Sequence, residues 1–450
     1  MALTGIEIYK YLPKTNCKKC GFPTCLAFAM KVSQKAVGLN LCTDLSEAGK
    51  TALEAASRPP IQLVTIGGDK KKVAVGNETV LFRHDKTFFH PPGLLIRLKD
   101  TLSPEAAVQK VKEVSSYSVE RVGLQFGADG FALENSSSNP EAFVRLADAV
   151  FSNSDLPLVL MSKDPAAMEK ALEKTAKRRP LIHAATKENA AQMAALAKKF
   201  SCPIAVRSSD GLSELAGLVE QVSKEGIEEV VLDPDLNGFG KSLNTLTQIR
   251  RLALKKNFKL LGYPVISFPG EKATSVNEEV ALAGLQIAKY GGLIVLENFS
   301  PAYYYPLLTL RLNIYTDPQK PIQMQPNIYQ IGTPKPTSPV CITTNFSLTY
   351  FSIAGELEAS GFPSWLVVCD TEGLSVLTSW AAGKFDAEKI AKTIKQFNVA
   401  DNVSHKTIII PGHVAILKGE LEESLPEWKI LVGPREAVDV GGFMKKNWQN

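Results

Sequence analysis

No run of apolar residues in this 450-residue sequence approaches the roughly 20 needed to cross a bilayer. The opening "MALTGIEIYKYLPK" has no basic segment leading into an apolar one, so a secretory signal is not expected and a cytoplasmic location is. There is no dense basic block and no basic stripe interleaved with aromatics, which argues against nucleic-acid binding. Lys70, Lys71 and Lys72 read as a solvated turn, and the net charge of +5 is a mild excess that suits steering of an acidic protein partner. No Gly-x-Gly-x-x-Gly occurs, so a dinucleotide is disfavoured.

What is present is a soluble, globular composition, 45% hydrophobic and 22% charged, in a chain long enough for two to four domains. The seven cysteines are unevenly spread. Cys202, Cys341 and Cys369 lie alone in apolar runs and read as small buried hydrophobes. Cys17, Cys20, Cys25 and Cys42 cluster as Cys-x2-Cys-x4-Cys-x16-Cys. In a reducing compartment a disulfide is disfavoured. Zinc remains open, but zinc ribbons carry two x2 knuckles and only the first pair has that spacing. Three thiolates within nine residues and a remote fourth suit a [4Fe–4S] cubane, and redox-active thiols are the third alternative. Gly21 and Pro23 permit a tight wrap, and Lys18 and Lys19 offset negative charge.

Along the chain, residues 1–57 form a small first unit. "CLAFAMKVSQKAVG" reads as a helix ended by Gly38, and "DLSEAGKTALEAAS" as a second with Asp44 or Ser46 as N-cap. Residues 58–92 read as linker and hairpins with Gly-Gly-Asp and Gly-Asn turns. Eight β-rich runs then recur between Gly93 and Ser300, each followed by a helix-length stretch: "GLLIRLKD", "RVGLQFGAD", "PLVLMSKD", "PLIHAAT", "PIAVRSSD", "EEVVLDPD", "YPVISFPG" and "GLIVLENFS". Their number and continuous apolar character predict a (β/α)₈ TIM barrel over 93–315. Pro318, Pro321, Pro326, Pro334, Pro336 and Pro339 make 316–339 a stiff linker. Residues 340–450 repeat strand, loop and helix from "SPVCITTNF", "SWLVVCDTEG", "HKTIIIPGH" and "WKILVGPR", a Rossmann- or flavodoxin-like open sheet. The fold class is thus α/β in three parts.

Barrel ligands lie at the carboxyl ends of strands, here Asp100, Gln125, Lys163, Asp164, Arg207, Asp233, Asp235, Glu297 and Asn298. The set is similar to a pterin-methyltransferase surface, but aspartates there commonly cap the following helix. In the last unit the strand ends offer hydroxyls, an amide, glycine N–H groups and Arg435, able to hold a flavin phosphate or the amide-rich rim of a corrin.

The cysteine quartet, the central barrel and "ITTNFSLTYF…GELEASGFPSWLVVCDTEGLSVLTSWAAGKF" resemble the large (gamma) subunit family of the corrinoid iron–sulfur proteins, over essentially the whole chain. The resemblance implies a methyl carrier of the reductive acetyl-CoA (Wood–Ljungdahl) pathway, not an enzyme itself. Cob(I)amide takes a methyl group from methyltetrahydrofolate on a separate methyltransferase and passes it to acetyl-CoA synthase/CO dehydrogenase. It also implies a [4Fe–4S] cluster on Cys17, Cys20, Cys25 and Cys42 that restores oxidised cob(II)amide. A homologous small subunit would pair with the barrel and cover the corrin face, giving a heterodimer. Corrinoid contacts would fall on Thr343, Thr344, Asn345 and Phe346 after one strand, and on Asp370, Thr371, Glu372, Gly373, Leu374 and Ser375 after the next. Gly433 and Arg435 would complete the set. None of the five histidines stands in an Asp-x-His-x-x-Gly motif, so no protein histidine on cobalt is expected, with His413 as the one remaining candidate; that the cobalamin-type corrinoid is base-off is implied by the resemblance. His413 is the one histidine at a strand end of that domain. Competing readings are an iron–sulfur flavoprotein electron carrier and a barrel methyltransferase with an accessory cluster.

Overall fold

The computed structural model describes residues 5–33, 36–46, 49–50, 53, 59–320 and 322–448. The chain divides into two compact units, one of residues 1–118 and 127–315 and one of 119–126 and 316–450. Among the described residues no helix is long and apolar enough to cross a membrane.

In the first unit, helix Gly5–Tyr11 packs on helix Cys25–Ser33. Ile8, Leu12, Phe28, Ala29 and Leu53 form their shared core. The second helix is described as far as Ser33 and is not helical at Ala36 and Val37, short of the expected Gly38, and a 3-10 turn at Leu39–Leu41 delivers Cys42. The helix expected over 44–57 lies for the most part outside the described residues.

Strands β1 (Val64–Gly67) and β2 (Lys72–Val75) make one antiparallel hairpin. A second hairpin does not form over 76–92, where the chain is organised around a carboxylate instead. Glu78, buried, accepts the backbone N–H groups of Phe89 and His90 at 2.8 and 2.9 Å and faces Arg250 at 3.4 Å.

The barrel is built from β3 (Gly93–Lys99), β6 (Gly130–Glu134), β7 (Leu158–Met161), β8 (Leu181–Ala185), β9 (Ile204–Arg207), β10 (Val230–Asp233), β11 (Ile266–Ser267) and β12 (Leu293–Leu296). The sheet order is β10-β9-β8-β7-β6-β3-β12-β11, all parallel. A parallel bridge from Leu232 to Val265 joins its two ends. Val64, Ile66 and Val75 of the hairpin share one core with the inward residues Leu95, Ala132, Val159, Leu181, Ala205, Val231 and Leu293, so the hairpin plugs the barrel.

Seven of the eight expected runs supply barrel strands. The exception is "RVGLQFGAD", which forms β4 (Ser118–Arg121) and β5 (Leu124–Gly127), a two-stranded sheet assigned largely to the other unit. Val122 and Gly123 both have positive φ, 50° and 78°, the requirement of a type I′ turn, so the run folds back on itself. The adjoining "GFALE", buried at its first four positions, takes the barrel place. Gln125 is therefore not at a barrel strand end; Glu134 is.

The second unit is a five-stranded sheet of β13 (Asn327–Ile331), β14 (Val340–Thr344), β15 (Ser364–Cys369), β16 (Thr407–Ile410) and β17 (Lys429–Val432), in the order β13-β15-β14-β16-β17. The last four are parallel, as expected. The proline-rich segment does more than link: it contributes β13, antiparallel to β15 at the sheet edge, where flanking Pro326 and Pro334 cost no ladder bond. From β14 the chain moves outward to β15 and then crosses to β16 on the other side. That reversal opens a crevice beyond the carboxyl ends of β14 and β16, the usual ligand position of an open parallel sheet.

Candidate functional site

The cysteine loop is tightly wound. Lys14, Asn16 and Lys18 have φ of 59°, 49° and 62°, and Gly21 follows at 83°. Asn16 Oδ1 accepts the Cys25 N–H at 2.8 Å, drawing the loop back onto the start of the helix. Cys25 is buried, Cys20 and Cys42 are half-buried against the same core, and Cys17 is exposed. Burial pushes the Cys42 thiol up, the Asp44 backbone draws it down, and negative charge on Cys20, Cys25 and Cys17 raises it again. The four thiols thus share one electrostatic site, although among the described residues no group of three or more His, Cys, Asp or Glu is arranged to hold a single metal ion. Four thiols beside one carboxylate, Asp44, which Lys19 already holds, fit a thiolate-bound cluster, whose positive iron would relieve their mutual repulsion. Lys19 pairs with Asp44 at 2.9 Å beside Cys17.

In the second unit a cavity of about 390 Å³ occupies the crevice at the reversal of strand order. Thr343, Ser375, Gly433 and Arg435 of the expected contacts line it. Thr343 is 1% exposed, and its Oγ1 has no hydrogen-bond partner. A buried hydroxyl without a partner is costly, so this one marks a place for a polar ligand group. The remaining expected contacts do not line it, although several of them are tied together at the adjoining strand ends. Asn345, buried, is their hub: Oδ1 accepts from the Thr371 N–H, the Thr371 hydroxyl and the Gly373 N–H, each at 2.9 Å. Its Nδ2 donates to Gln323 Oε1 at 3.2 Å and Asp370 Oδ1 at 3.3 Å. Thr344 is also buried with an unpartnered Oγ1. Glu372 is exposed and pairs with Lys384, which lowers its carboxyl.

The other walls come from residues that strand-end reasoning missed. Leu348, Thr349, Ser352 and Ile353 lie along helix Ser347–Ser360, and Val440, Phe443 and Met444 along helix Val440–Asn447. The i, i+4 spacing of Leu348 with Ser352, and of Thr349 with Ile353, was the available signal. Leu348 and Leu377, at 68% and 46% exposure, leave an apolar rim. His413 also lines the cavity, with Nε2 3.8 Å from Glu436 Oε1. Cys341, Cys369 and Cys202 are buried, which pushes their thiols up to about 12, 12 and 11.

A family model described as "CO dehydrogenase/acetyl-CoA synthase delta subunit" matches residues 63–444, and one described as "Putative Fe-S cluster" matches residues 12–43. The chain is 44% identical over 447 residues to the "Corrinoid/iron-sulfur protein large subunit" of Moorella thermoacetica, covering 99% of both chains. The chain belongs to the corrinoid/iron–sulfur protein large-subunit family. It is also 34% identical over 456 residues to the "Acetyl-CoA decarbonylase/synthase complex subunit gamma" of Methanothermobacter thermautotrophicus, again with 99% of each covered. Among solved structures, a dihydropteroate synthase from Thermus thermophilus matches 54% of this chain and 97% of its own, at 22% identity and a TM-score of 0.37, and carries no functional argument.

The mouth of the barrel holds charge that is largely satisfied internally. Arg97, central in β3, grips Glu134 at 2.6 and 2.9 Å and reaches Glu297 at 2.5 Å and Glu271 at 3.1 Å. Burial alone would lower this guanidinium, and the three carboxylates hold it up. Arg207 meets Asp235 at 2.8 Å and Asp233 at 3.3 Å, and Asp233 also bonds His183 at 2.7 Å. Of the expected caps, Asp164 does cap its helix through the Ala166 N–H, whereas Asp100 accepts from Ser136 and Ser137. The cavity there, about 520 Å³, is walled by these paired groups.

Proposed function

We propose that this chain carries a methyl group on a base-off corrinoid seated at the β14/β16 crevice, and keeps that cofactor reduced through a [4Fe–4S] cluster on Cys17, Cys20, Cys25 and Cys42. The methyl-carrier role in the acetyl-CoA pathway follows from family membership. The observation that carries the seat is the cavity at the reversal of strand order with the unpartnered Thr343 hydroxyl in its wall. When bound, the corrinoid supplies the cobalt nucleophile that takes and gives the methyl group, and the cluster supplies the electron that restores it.

This chain's residues bind and orient. The Thr343 hydroxyl and Arg435 offer hydrogen bonds to polar substituents of the cofactor, and the helix walls exclude water with Ile353, Phe443 and Met444. The cavity is too small for a whole macrocycle with its substituents, so it takes one arm, and the ring lies over the 343–346 and 370–375 loops. The apolar rim at Leu348 and Leu377 suits coverage by a small subunit. Docking of the methyltransferase and of acetyl-CoA synthase then alternates at the open face. The chain acts as a carrier component of reactions that these partners catalyse.

Purification without oxygen is expected to give about four iron atoms and about one cobalt per chain. Flavin absorbance with no cobalt would replace this reading by the flavoprotein one. Cys20→Ala is expected to lose iron on gel filtration while retaining parental cobalt, because the corrinoid seat is in the other unit. Equal iron in parent and variant would remove Cys20 from the ligand set. For the cobalt itself, electron paramagnetic resonance of the Co(II) form should show no nitrogen superhyperfine splitting. A triplet splitting that disappears in His413→Ala would make His413 a ligand and sink the histidine-free assignment.

A further inference from the structure

The positive charge of the chain is concentrated at its amino-terminal unit. Residues 1–50 contain seven lysines against three carboxylates, a net of +4 out of the +5 carried by all 450 residues. The remaining 400 residues are almost neutral, so the excess belongs to one unit and not to the surface at large. Within it, Lys14, Lys18 and Lys19 flank the exposed Cys17 inside one exposed loop. Lys19 is held by Asp44 and the Lys14 ammonium lies 5.6 Å from the centre of the Tyr9 ring, while among the described residues neither Lys14 nor Lys18 forms an ion pair with a carboxylate. The same unit exposes Tyr11, Leu26, Met30 and Leu41, apolar side chains of a size usually found inside.

We propose that the Cys17 loop is the docking face for a small acidic electron-transfer protein, with Lys14 and Lys18 as its main charged contacts. The inference rests on the reading that the four cysteines hold a cluster. A four-thiolate centre is anionic, and so is the iron–sulfur centre of a low-potential donor. Two such centres repel as they approach unless cations lie between them, and Lys18, next in sequence to the most exposed ligand position, and Lys14 in the same loop can supply those cations. Weak electron-transfer encounters bury little surface, so two or three charges around a small apolar patch suffice for recognition. In the encounter the donor's reduced cluster loses one electron and the cluster on this chain gains it; no bond is made or broken.

The test uses the holo chain and a reduced, acidic 2[4Fe–4S] ferredoxin, with cluster reduction followed by stopped-flow. The parent's second-order rate should fall as salt is raised, and the Lys14→Glu/Lys18→Glu variant should be about tenfold slower at low salt, converging on the parent at high salt. Reduction by dithionite and iron content should match the parent, showing an intact unit. Lys392→Glu/Lys395→Glu, which changes net charge equally in the other unit, should keep the parental rate. A salt-independent parent, a variant as fast as the parent, or an equal loss in the control overturns the docking face. An iron-loaded parent that ferredoxin does not reduce defeats the inference alone; an iron-free parent defeats the cluster reading beneath it.

Discussion

Asn345→Ala is expected to lower corrinoid retention at least about a hundredfold while leaving iron content unchanged, a loss of roughly 2.7 kcal/mol in binding. The reason is the number of groups that lean on one amide. Its Oδ1 satisfies the N–H of Thr371 and of Gly373, both buried, and the Thr371 hydroxyl. Alanine leaves two buried backbone donors without an acceptor, each costing about 1–3 kcal/mol. The 370–375 loop holds Glu372 and Gly373 at φ of 55° and 74°, a turn with no ladder to support it. Released from Asn345, the loop opens toward water, and the surface on which the ring would lie is lost. Asn345→Asp separates the two roles of the amide. It keeps the acceptor for Thr371 and Gly373 but sets a second carboxylate where Nδ2 lies 3.3 Å from Asp370 Oδ1, so cobalt retention should fall between parent and alanine variant. Cobalt per chain after gel filtration is the readout, and parental cobalt in Asn345→Ala would show that the loop plays no part in holding the cofactor.

How much of this was legible in the sequence depended on how local each signal was. Seven barrel strands were readable because strands buried on both faces are continuous apolar runs. The eighth was misplaced because Val122-Gly123 lacks the Asn-Gly or Asp-Gly signature of its turn, so a hairpin passed for one strand. Thr343, Ser375, Gly433 and Arg435 were readable as crevice residues because strand ends in such a sheet converge by topology. The helix wall was not: Phe443 and Met444 join Thr343 around one cavity only once the sheet and helices between them in sequence have packed. The edge strand β13 was hidden by its prolines, which mark a linker and a sheet edge equally well.

Arg97 is the residue the sequence concealed most completely, and its removal should be the most damaging single change in the barrel. "GLLIRLK" reads as an apolar strand with one stray charge, and nothing nearby announces partners 37, 174 and 200 residues away. In the folded unit the side chain is 7% exposed and every arm of the guanidinium meets a carboxylate. Arg97→Leu would leave Glu134 without its cation and Glu271 and Glu297 with only the longer pairs to Arg207 at 3.6 Å and Lys99 at 3.4 Å, and stranding the partner of a buried pair costs about 3–5 kcal/mol. Lysine is not a rescue, because a single ammonium cannot reproduce the two-armed grip on Glu134 while reaching two further strand ends. Glu271→Gln should cost much less, since Glu271 is 23% exposed and Arg97 keeps its two other acids. Urea unfolding followed by far-ultraviolet circular dichroism should therefore place Arg97→Leu and Arg97→Lys well below the parent and Glu271→Gln close to it. An Arg97→Leu midpoint equal to the parent's would mean that the acids relax into water at no cost and that the network does not brace the barrel mouth.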